Sequence, residues 1–191
     1  MSLIDMEVHG SAAVAAGDDQ MLLILKEKGG ERILPIMTSA KRAMLLLTRK
    51  LLPVLVPVPL TVTDTMHLLL RKMNIRIVRV ELMAVKDGQF FTKIVADKDG
   101  QEYEVEMCPA PDGLIIAITF GCRLCIEEEL LEAQYMRKVG ENAYVMNISS
   151  VSRSMLEDAL QHAVDSENYE VASKLKAELD KRKGGSIEEM K

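Results

Sequence analysis

The stretch Met107-Cys-Pro-Ala-Pro-Asp-Gly-Leu-Ile-Ile-Ala-Ile-Thr-Phe-Gly121 joins two kinds of secondary structure and decides the class of fold. Before it, residues 102–107 alternate acidic and apolar side chains, which is the period of a half-buried strand. After it, an apolar run stops at Gly121, as is typical of a helix C-terminus. Asp112 lies where this helix is expected to begin, and a carboxylate there favours the positive helix end. A carboxylate at such a joint also suits a metal ion, so Asp112 has two interpretations.

The segments around this stretch predict three strands and a helix, then a helix, three strands and a helix. Asp87-Gly88 and Asp99-Gly100 are signals of tight hairpin turns, and Pro35 indicates that the third strand lies at an edge. The repeated order indicates an internal duplication. It predicts an α/β (α+β) fold with a mixed sheet built from a duplicated three-strand-plus-helix unit, on which the helices pack. The expected strands cover residues 6–14, 21–26, 32–37, 75–85, 89–96 and 102–107, and the helices start near Ser39, Thr63 or Asp64, and Asp112.

The C-terminal part predicts a separate helical hairpin. Residues 1–139 form the α/β domain, residues 140–153 read as a linker rich in Ser and Asn, and residues 154–183 carry two apolar stripes. Ser154 to Glu157 has the pattern of a capping box, and Gly184-Gly185 is the expected stop. Such a hairpin has too small a core to be very stable alone. We therefore expect it to dock on a protein partner, on a second copy or on the preceding domain.

The composition predicts a soluble globular protein. The chain has 191 residues and a net charge of −5, which argues against strong nonspecific binding of DNA. No signal peptide or membrane span is indicated. The three Cys do not make a disulfide framework, which fits a reducing cytoplasm. Cys122 and Cys125 form a lone Cys-x-x-Cys after a helix, so we expect a structural role for them.

Basic residues concentrate near the helices that flank Asp64, and a basic surface contacts phosphates. The alternative is an ordinary solvated helix face. The candidates for nucleic-acid binding are Lys41, Arg42, Arg71 and Arg76.

Asp64 and Asp112 are the candidate catalytic residues and metal ligands. Two carboxylates a few ångströms apart hold Mg²⁺ or Mn²⁺, which activates water for attack on a phosphodiester. The alternative is that both aspartates are helix caps.

Residues 1–137 resemble the bifunctional nuclease domain, a small α/β family named for a member with DNase and RNase activity. The matching residues are Leu34-Pro35-Ile36, Asp64, Lys86-Asp87-Gly88, and Asp112 with Gly121. The family usually reads Arg-(Pro/Thr)-Ser-Asp-Ala where this chain has Pro-Ala-Pro-Asp-Gly up to residue 113. It usually reads Thr-His-Asp where this chain has Val-Thr-Asp up to residue 64. Both aspartates are kept, whereas the Arg, Ser and His are replaced.

Residues 154–183 resemble the UVR helical hairpin of excision-repair proteins, on the sequence Asn168-Tyr-Glu-Val-Ala-Ser-Lys-Leu-Lys176. The two resemblances imply two hypotheses. The first is a metal-assisted nuclease that acts on DNA or RNA through Asp64 and Asp112. The second is a catalytically degenerate nuclease-like module that forms a homo-oligomer and recruits protein partners through the hairpin. An oligomer is expected because the strand edge near Pro35 needs covering.

Overall fold

The structure is a computed structural model that describes residues 2–13, 19–51, 61–139 and 143–188. The predicted order of elements in the α/β part is confirmed. Residues 52–59 hold three prolines, and the sequence predicts a crossover there between the first two helices; this segment lies outside the described residues. The elements are β1 Leu3–Ala13, β2 Gln20–Glu27, β3 Ile33–Ser39, α1 Ala40–Leu51, α2 Val62–Lys72, β4 Ile75–Lys86, β5 Gln89–Lys98, β6 Gln101–Pro109, α3 Ala110–Phe120, β7 Arg123–Glu127, α4 Glu128–Gln134, β8 Arg137–Val139, β9 Ala143–Val145, α5 Arg153–Asp165 and α6 Tyr169–Glu188.

Seven strands form one mixed sheet in the order β3-β2-β1-β7-β4-β5-β6. The short strand β7 lies at its centre, antiparallel to β1 and parallel to β4. The remaining neighbours pair antiparallel, so two three-stranded meanders flank β7. Pro35 is in the edge strand β3, as the sequence predicted. The α/β class is confirmed.

The two Asp-Gly pairs form the tight hairpin turns that the sequence predicted. The φ angles are 51° and 77° at Asp87 and Gly88, and 54° and 85° at Asp99 and Gly100. Positive φ at both central residues is the signature of a type I′ turn, whose twist matches the strands. These turns fix the register of β4 on β5 and of β5 on β6.

The core lies between the sheet and the helices α1 and α3, which pack against each other. Helix α3 is apolar on most of its surface, and it approaches β5 closely because Gly113 has no side chain. A Cβ on Gly113 would overlap the hydroxyl of the buried Thr92. The largest fully buried side chains include Met6, Leu23, Leu25, Leu34, Ile36, Leu46, Leu82, Leu114 and Ile126.

Helix α3 begins two residues earlier than expected, at Ala110, with Pro109 at the N-cap position. Asp112 therefore lies in the first turn, and the prediction that it caps the helix is wrong. Proline at the start of a helix is favoured, because its fixed φ suits the first turn and its missing N–H is not needed there. Pro109 and Pro111 therefore determine where α3 begins. Asp112 is its third residue, where a carboxylate interacts favourably with the positive end of the helix dipole.

Helix α2 begins after Thr61, so the N-cap is Thr61 rather than Thr63 or Asp64, and Asp64 takes part in capping as the third residue of a capping box. Asp64 lies at the third helical position and accepts hydrogen bonds from the backbone N–H and the hydroxyl of Thr61, at 2.7 and 2.8 Å. Arg49 of α1 forms an ion pair with Asp64 and donates to Thr119 of α3 at 3.0 Å. This network joins α1, α2 and α3. Hydrogen bonding from Arg49 holds the pKa of Asp64 well below its usual range.

The segment after β7 is more structured than the predicted linker. β8 pairs with β9, and a 3₁₀ turn at Ile148–Ser150 precedes the hairpin. The N-cap of α5 is Ser152 rather than Ser154, and its hydroxyl accepts from the N–H of Met155 at 3.4 Å. α6 continues past the expected glycine stop to Glu188. The helical hairpin itself is confirmed, with a core of Leu156, Ala163, Ala172, Leu175 and Leu179.

Two other features bear on the sequence expectations. Met66, Leu69, Leu70 and Met73 have the spacing of an apolar stripe on α2, which predicts a buried face. That face is only partly covered: Leu69 and Met73 are exposed, and no residue of this helix is fully buried. Within the described ranges, no helix has the length and apolar character needed to cross a membrane.

The Arg49–Asp64 pair gives a stability prediction. Replacing Asp64 by Asn leaves the side chain of Arg49, which is 8% exposed, without its counter-charge. We expect Asp64→Asn to lower the free energy of unfolding at pH 7 by roughly 2 kcal/mol in urea titrations. Because folding lowers the pKa of this carboxyl, its contribution is present above the unfolded value of about 4 and is lost as the pH falls below it. The gap between parent and variant should narrow below that pH.

Asp97→Asn is the matched control, because Asp97 pairs with the exposed Arg76 at 3.9 Å. We expect a cost below about 0.5 kcal/mol for it. Two results would contradict a stabilising Arg49–Asp64 ion pair. One is an equal loss of unfolding free energy in the two variants, and the other is a loss for Asp64→Asn that does not change with pH.

Candidate functional site

A cleft of about 750 Å³ lies between the α/β domain and the start of the helical hairpin. It forms where the end of β3, the β4–β5 turn, the end of β6 and the start of α5 come together. The lining residues are Asp19, Gln20, Met37, Thr38, Ser39, Arg42, Asp87, Gly88, Gln89, Phe90, Pro109, Pro111, Ser152, Arg153 and Ser154.

The first turns of three helices line this cleft. Ser39 and Arg42 belong to the start of α1, Pro109 and Pro111 to that of α3, and residues 152–154 to that of α5. Helix N-termini carry a partial positive charge, which attracts anions such as phosphate. At α1 and α5 some of the N–H groups are already used: Ala40 donates to the carbonyl of Asp19, Arg42 to the hydroxyl of Ser39 and Met155 to the hydroxyl of Ser152. Pro111 has no N–H, and α3 therefore contributes its dipole more than its donors. The positive ends of three helix dipoles therefore meet at this cleft.

Thr38 supplies an independent sign of a ligand site. Its side chain is more than nine-tenths buried at the cleft, and among the described residues its hydroxyl has no hydrogen-bond partner. A buried polar group without a partner costs about 1–3 kcal/mol, so such groups are rare in folded proteins. The oxygen itself is fully buried, so a ligand in the cleft pairs with it, and removes that cost, once the Thr38 side chain has rotated toward the cleft.

Arg42 and Asp112 form an exposed ion pair beside the cleft, with 3.3 Å between Nη2 and Oδ2. Half of the Arg42 side chain and 40% of the Asp112 side chain are exposed. Pairs of this kind contribute at most about 1 kcal/mol. Arg42 can therefore exchange Asp112 for a ligand anion at little cost.

The cleft also carries groups that accept hydrogen bonds. Asp19 and Asp87 are exposed carboxylates, and Gln20 and Gln89 are neutral amides. Apolar wall is provided by Met37 and the prolines of α3. The lining thus combines two arginines, two carboxylates and apolar surface, which suits a ligand that has both an anionic group and hydrogen-bond donors.

The hairpin side of the cleft is fixed to the α/β domain. Gly88 lies against the backbone of Val151, whose carbonyl oxygen a Cβ on Gly88 would overlap. Gln134 and Ser149 are hydrogen-bonded at 3.0 Å, and Asn147 donates to the carbonyl of Ala133 at 2.7 Å. Side chain and backbone contacts therefore position the residues that lead into α5.

The two candidate metal ligands are not brought together. Asp64 is tied to Thr119 near the end of α3 through Arg49, whereas Asp112 is in the first turn of α3. Positions 112 and 119 are about 10 Å apart along the helix axis. Each carboxylate already has an arginine partner. Among the described residues there is no group of three or more His, Cys, Asp or Glu that could hold a metal ion. The arrangement therefore does not fit a divalent ion shared by Asp64 and Asp112.

Of the four basic residues proposed to bind nucleic acid, only Arg42 lines the cleft. Lys41 is exposed next to it on α1. Arg71 is exposed in the last turn of α2, and Arg76 is exposed on β4 beside Asp97.

The Cys-x-x-Cys pair has the structural character that the sequence predicted. Cys125 is buried in β7 and Cys122 is partly buried just before that strand. Burial raises the pKa of both thiols to about 11. A reactive thiolate needs the opposite shift.

The sequence did not indicate Thr38 or Arg153 as site residues, nor the two serines, Ser152 and Ser154, on either side of Arg153. Nothing in their local pattern marks them, because an unpaired hydroxyl and a shared cleft exist only in the folded chain. The sequence predicts a hairpin turn at Asp87-Gly88, but it does not indicate that this turn lines a cleft.

Comparison with known protein families adds an independent finding. The model of the bifunctional nuclease domain matches residues 23–138, which include β3, α1, the β4–β5 turn, β6 and α3 around the cleft. The match ends before the helical hairpin, so the UVR resemblance of residues 154–183 stays a prediction. Among the curated proteins, no similar sequence was found. Since the match covers more than half of the chain, the protein belongs to the bifunctional nuclease domain family.

Proposed function

We propose that the protein binds a nucleic acid strand by taking one phosphate-bearing nucleotide into the cleft. The observation that carries the proposal is the meeting of three helix N-termini with the unpaired, buried hydroxyl of Thr38. Helix starts bind phosphate through the helix dipole and through those backbone N–H groups that have no partner within the protein. Arg42 and Arg153 add full positive charges. Membership of a nuclease family makes a phosphodiester the natural ligand.

The mixed charge of the lining favours a nucleotide over a simple anion. Asp19 and Asp87 repel a ligand that carries negative charge alone. A nucleotide brings a phosphate for the helix N-termini and base N–H groups for the carboxylates and amides. The apolar wall formed by Met37 and the prolines gives the base a surface to contact.

The size of the cleft favours single strands. A volume of about 750 Å³ is in the range of small-molecule sites, which hold one or two nucleotides. A base pair inside a duplex is not accessible to so small a site unless it is opened. Proteins that bind single strands combine positive grooves with apolar contacts to the bases.

Hydrolysis with Mg²⁺ or Mn²⁺ is a separate proposal, which rests on family membership. Asp112 is the better-placed carboxylate for it, because it lies beside the cleft and is partly exposed. Because the arrangement does not fit an ion shared by Asp64 and Asp112, we assign no step to a metal.

A second candidate function, recruitment of a protein partner, is supported by the surface of the hairpin. Val164, Tyr169 and Val171 are exposed apolar residues on α5 and α6. A shallow groove of about 400 Å³ runs beside Leu160, Val164 and Leu179. Exposed apolar surface of this kind marks interaction sites. The homo-oligomer expected from the sequence stays a prediction.

The binding proposal predicts that Asp112→Asn tightens the binding of nucleic acid. The substitution removes the carboxylate that competes with the ligand for Arg42, so affinity should rise about threefold to tenfold. Arg42→Gln should weaken binding by about tenfold, because a charge-assisted contact is lost. Fluorescence anisotropy with labelled single-stranded DNA and RNA of about 12 nucleotides measures both.

Arg123→Gln is the control, because this exposed arginine pairs with Asp5 on β1 and does not line the cleft. The same proteins are then assayed for cleavage of the labelled strands with Mg²⁺ or Mn²⁺. Weaker binding together with lost cleavage in Asp112→Asn would favour a metal ligand instead. Absence of any binding by the parent at low salt would refute the proposed function.

Thr38→Val gives a prediction in which stability and binding change in opposite directions. Valine keeps the shape and removes the unpaired hydroxyl, so the free energy of unfolding should rise by about 1 kcal/mol. The affinity for single strands should fall severalfold, because the ligand loses a partner. Urea unfolding and anisotropy on one preparation check both, with Thr38→Ser retaining the hydroxyl as the control. A stability loss with unchanged affinity would show that this hydroxyl does not serve the site.

A further inference from the structure

We infer that the helical hairpin is part of the nucleotide site, with α5 as one wall of the cleft and Arg153 as a contact to the ligand phosphate. The inference rests on the proposed function and extends it to a part of the chain outside the matched family domain. It assigns the hairpin a ligand-binding role in addition to any role in recruiting partners.

The residues of α5 at the cleft are chemically suited to an anion. Ser152 caps the helix, and Arg153 and Ser154 are its first two residues. α5 has 13 residues, long enough for a full dipole at its N-terminus. Arg153 pairs with Glu157 in the next turn, at 2.9 Å, and both side chains are more than half exposed. This weak pair leaves the guanidinium available to a phosphate.

The segment before α5 is held rigidly by Arg182 of α6. The Arg182 side chain is 7% exposed, and its guanidinium donates to the carbonyls of Val151, Ile148 and Ser149 at 2.8, 3.0 and 3.2 Å. Those carbonyls belong to the 3₁₀ turn that leads into α5. The second helix of the hairpin therefore positions the wall that the first helix presents to the ligand.

Gly88 sets the distance between this wall and the α/β domain. It is buried against the backbone of Val151, one residue before the cap of α5. Any side chain at position 88 would push Val151 and Ser152 outward and widen the cleft. Gly88 and Arg182 are thus positioning residues, and Arg153 is the residue that contacts the ligand.

A shared wall couples the two modules. If the hairpin must be seated for the ligand to bind, then the ligand stabilises the seated hairpin by the same free energy. A protein that docks on α5 and α6 in the seated position would then strengthen nucleotide binding, and one that pulls the hairpin away would weaken it.

The test measures binding of a labelled single strand of about 12 nucleotides to full-length variants. We expect Arg153→Gln to weaken binding by about tenfold and to reduce the slope of log affinity against log salt by about one. Lys174→Gln is the matched control, because it removes the same charge from another exposed pair four residues apart on the hairpin. It should leave affinity and slope unchanged.

Gly88→Ala tests the position of the wall. Gly100→Ala is its control, because Gly100 follows an aspartate in the same kind of turn, with φ of 85°, and has open space around it. Both variants strain a left-handed residue, so both lose stability. Only Gly88→Ala should weaken binding, by about tenfold. Addition of the single-stranded nucleic acid should slow hydrogen exchange of the backbone amides of residues 148–156 in the parent, and it should not do so in Gly88→Ala.

The outcomes separate the inference from the proposal beneath it. If the parent binds single strands and Arg153→Gln and Gly88→Ala match their controls, the hairpin is not part of the site and the inference is overturned, while the proposed function stands. If the parent binds no strand at low salt, the proposed function fails and the inference fails with it. Circular dichroism identifies an unfolded variant, in which case hydrogen exchange of the parent with and without the strand decides.

Discussion

β7 is the element on which the rest of the structure depends, because it pairs with β1 on one side and with β4 on the other. Each meander is complete in itself, with short turns and antiparallel partners. Without the central strand they would be two separate ribbons, and small ribbons are only marginally stable. Leu124, Cys125 and Ile126 of this strand are buried, so the same residues that join the halves also fill the core. The joined sheet gives α1 and α3 one surface on which to meet.

The cleft is a consequence of that joined sheet. β3 is an edge strand, yet its end contacts β5 and α3 across the core. These contacts bring the first turns of α1 and α3 together at one corner of the domain. The β4–β5 turn and the end of β6 lie at the same corner. The hairpin then adds a third helix start through the contact of Gly88 with Val151. No single motif makes the site; it is made by ends of elements that converge.

Much of the fold could be predicted because its signals are local. The Asp-Gly turns and the stop at Gly121 each act over a few residues. The alternation of β6 correctly predicts a strand, but the half-buried face expected from it is wrong, because Tyr103, Val105 and Met107 are all exposed. The helix starts were missed at Asp64, Asp112 and Ser154 because a capping residue, a proline and a third-position carboxylate all occur within one turn. The central place of β7 has no local signal, since five residues cannot specify two partners that lie far apart in sequence. The cleft was missed for the same reason: its residues come from positions 19 to 154, and the burial of Thr38 exists only after folding.

The two aspartates that the sequence presented as counterparts have related positions but different surroundings. Each lies at the third position of its helix, and each pairs with an arginine of α1, Asp112 with Arg42 and Asp64 with Arg49. The arginines are seven residues apart, two turns on one face of α1. Arg49 is almost fully buried, so its pair is fixed and joins three helices. Arg42 is half exposed, so its pair is weak and exchangeable. The difference in burial therefore determines their roles. The Arg49–Asp64 pair holds three helices together, whereas Arg42 can leave Asp112 to bind a ligand.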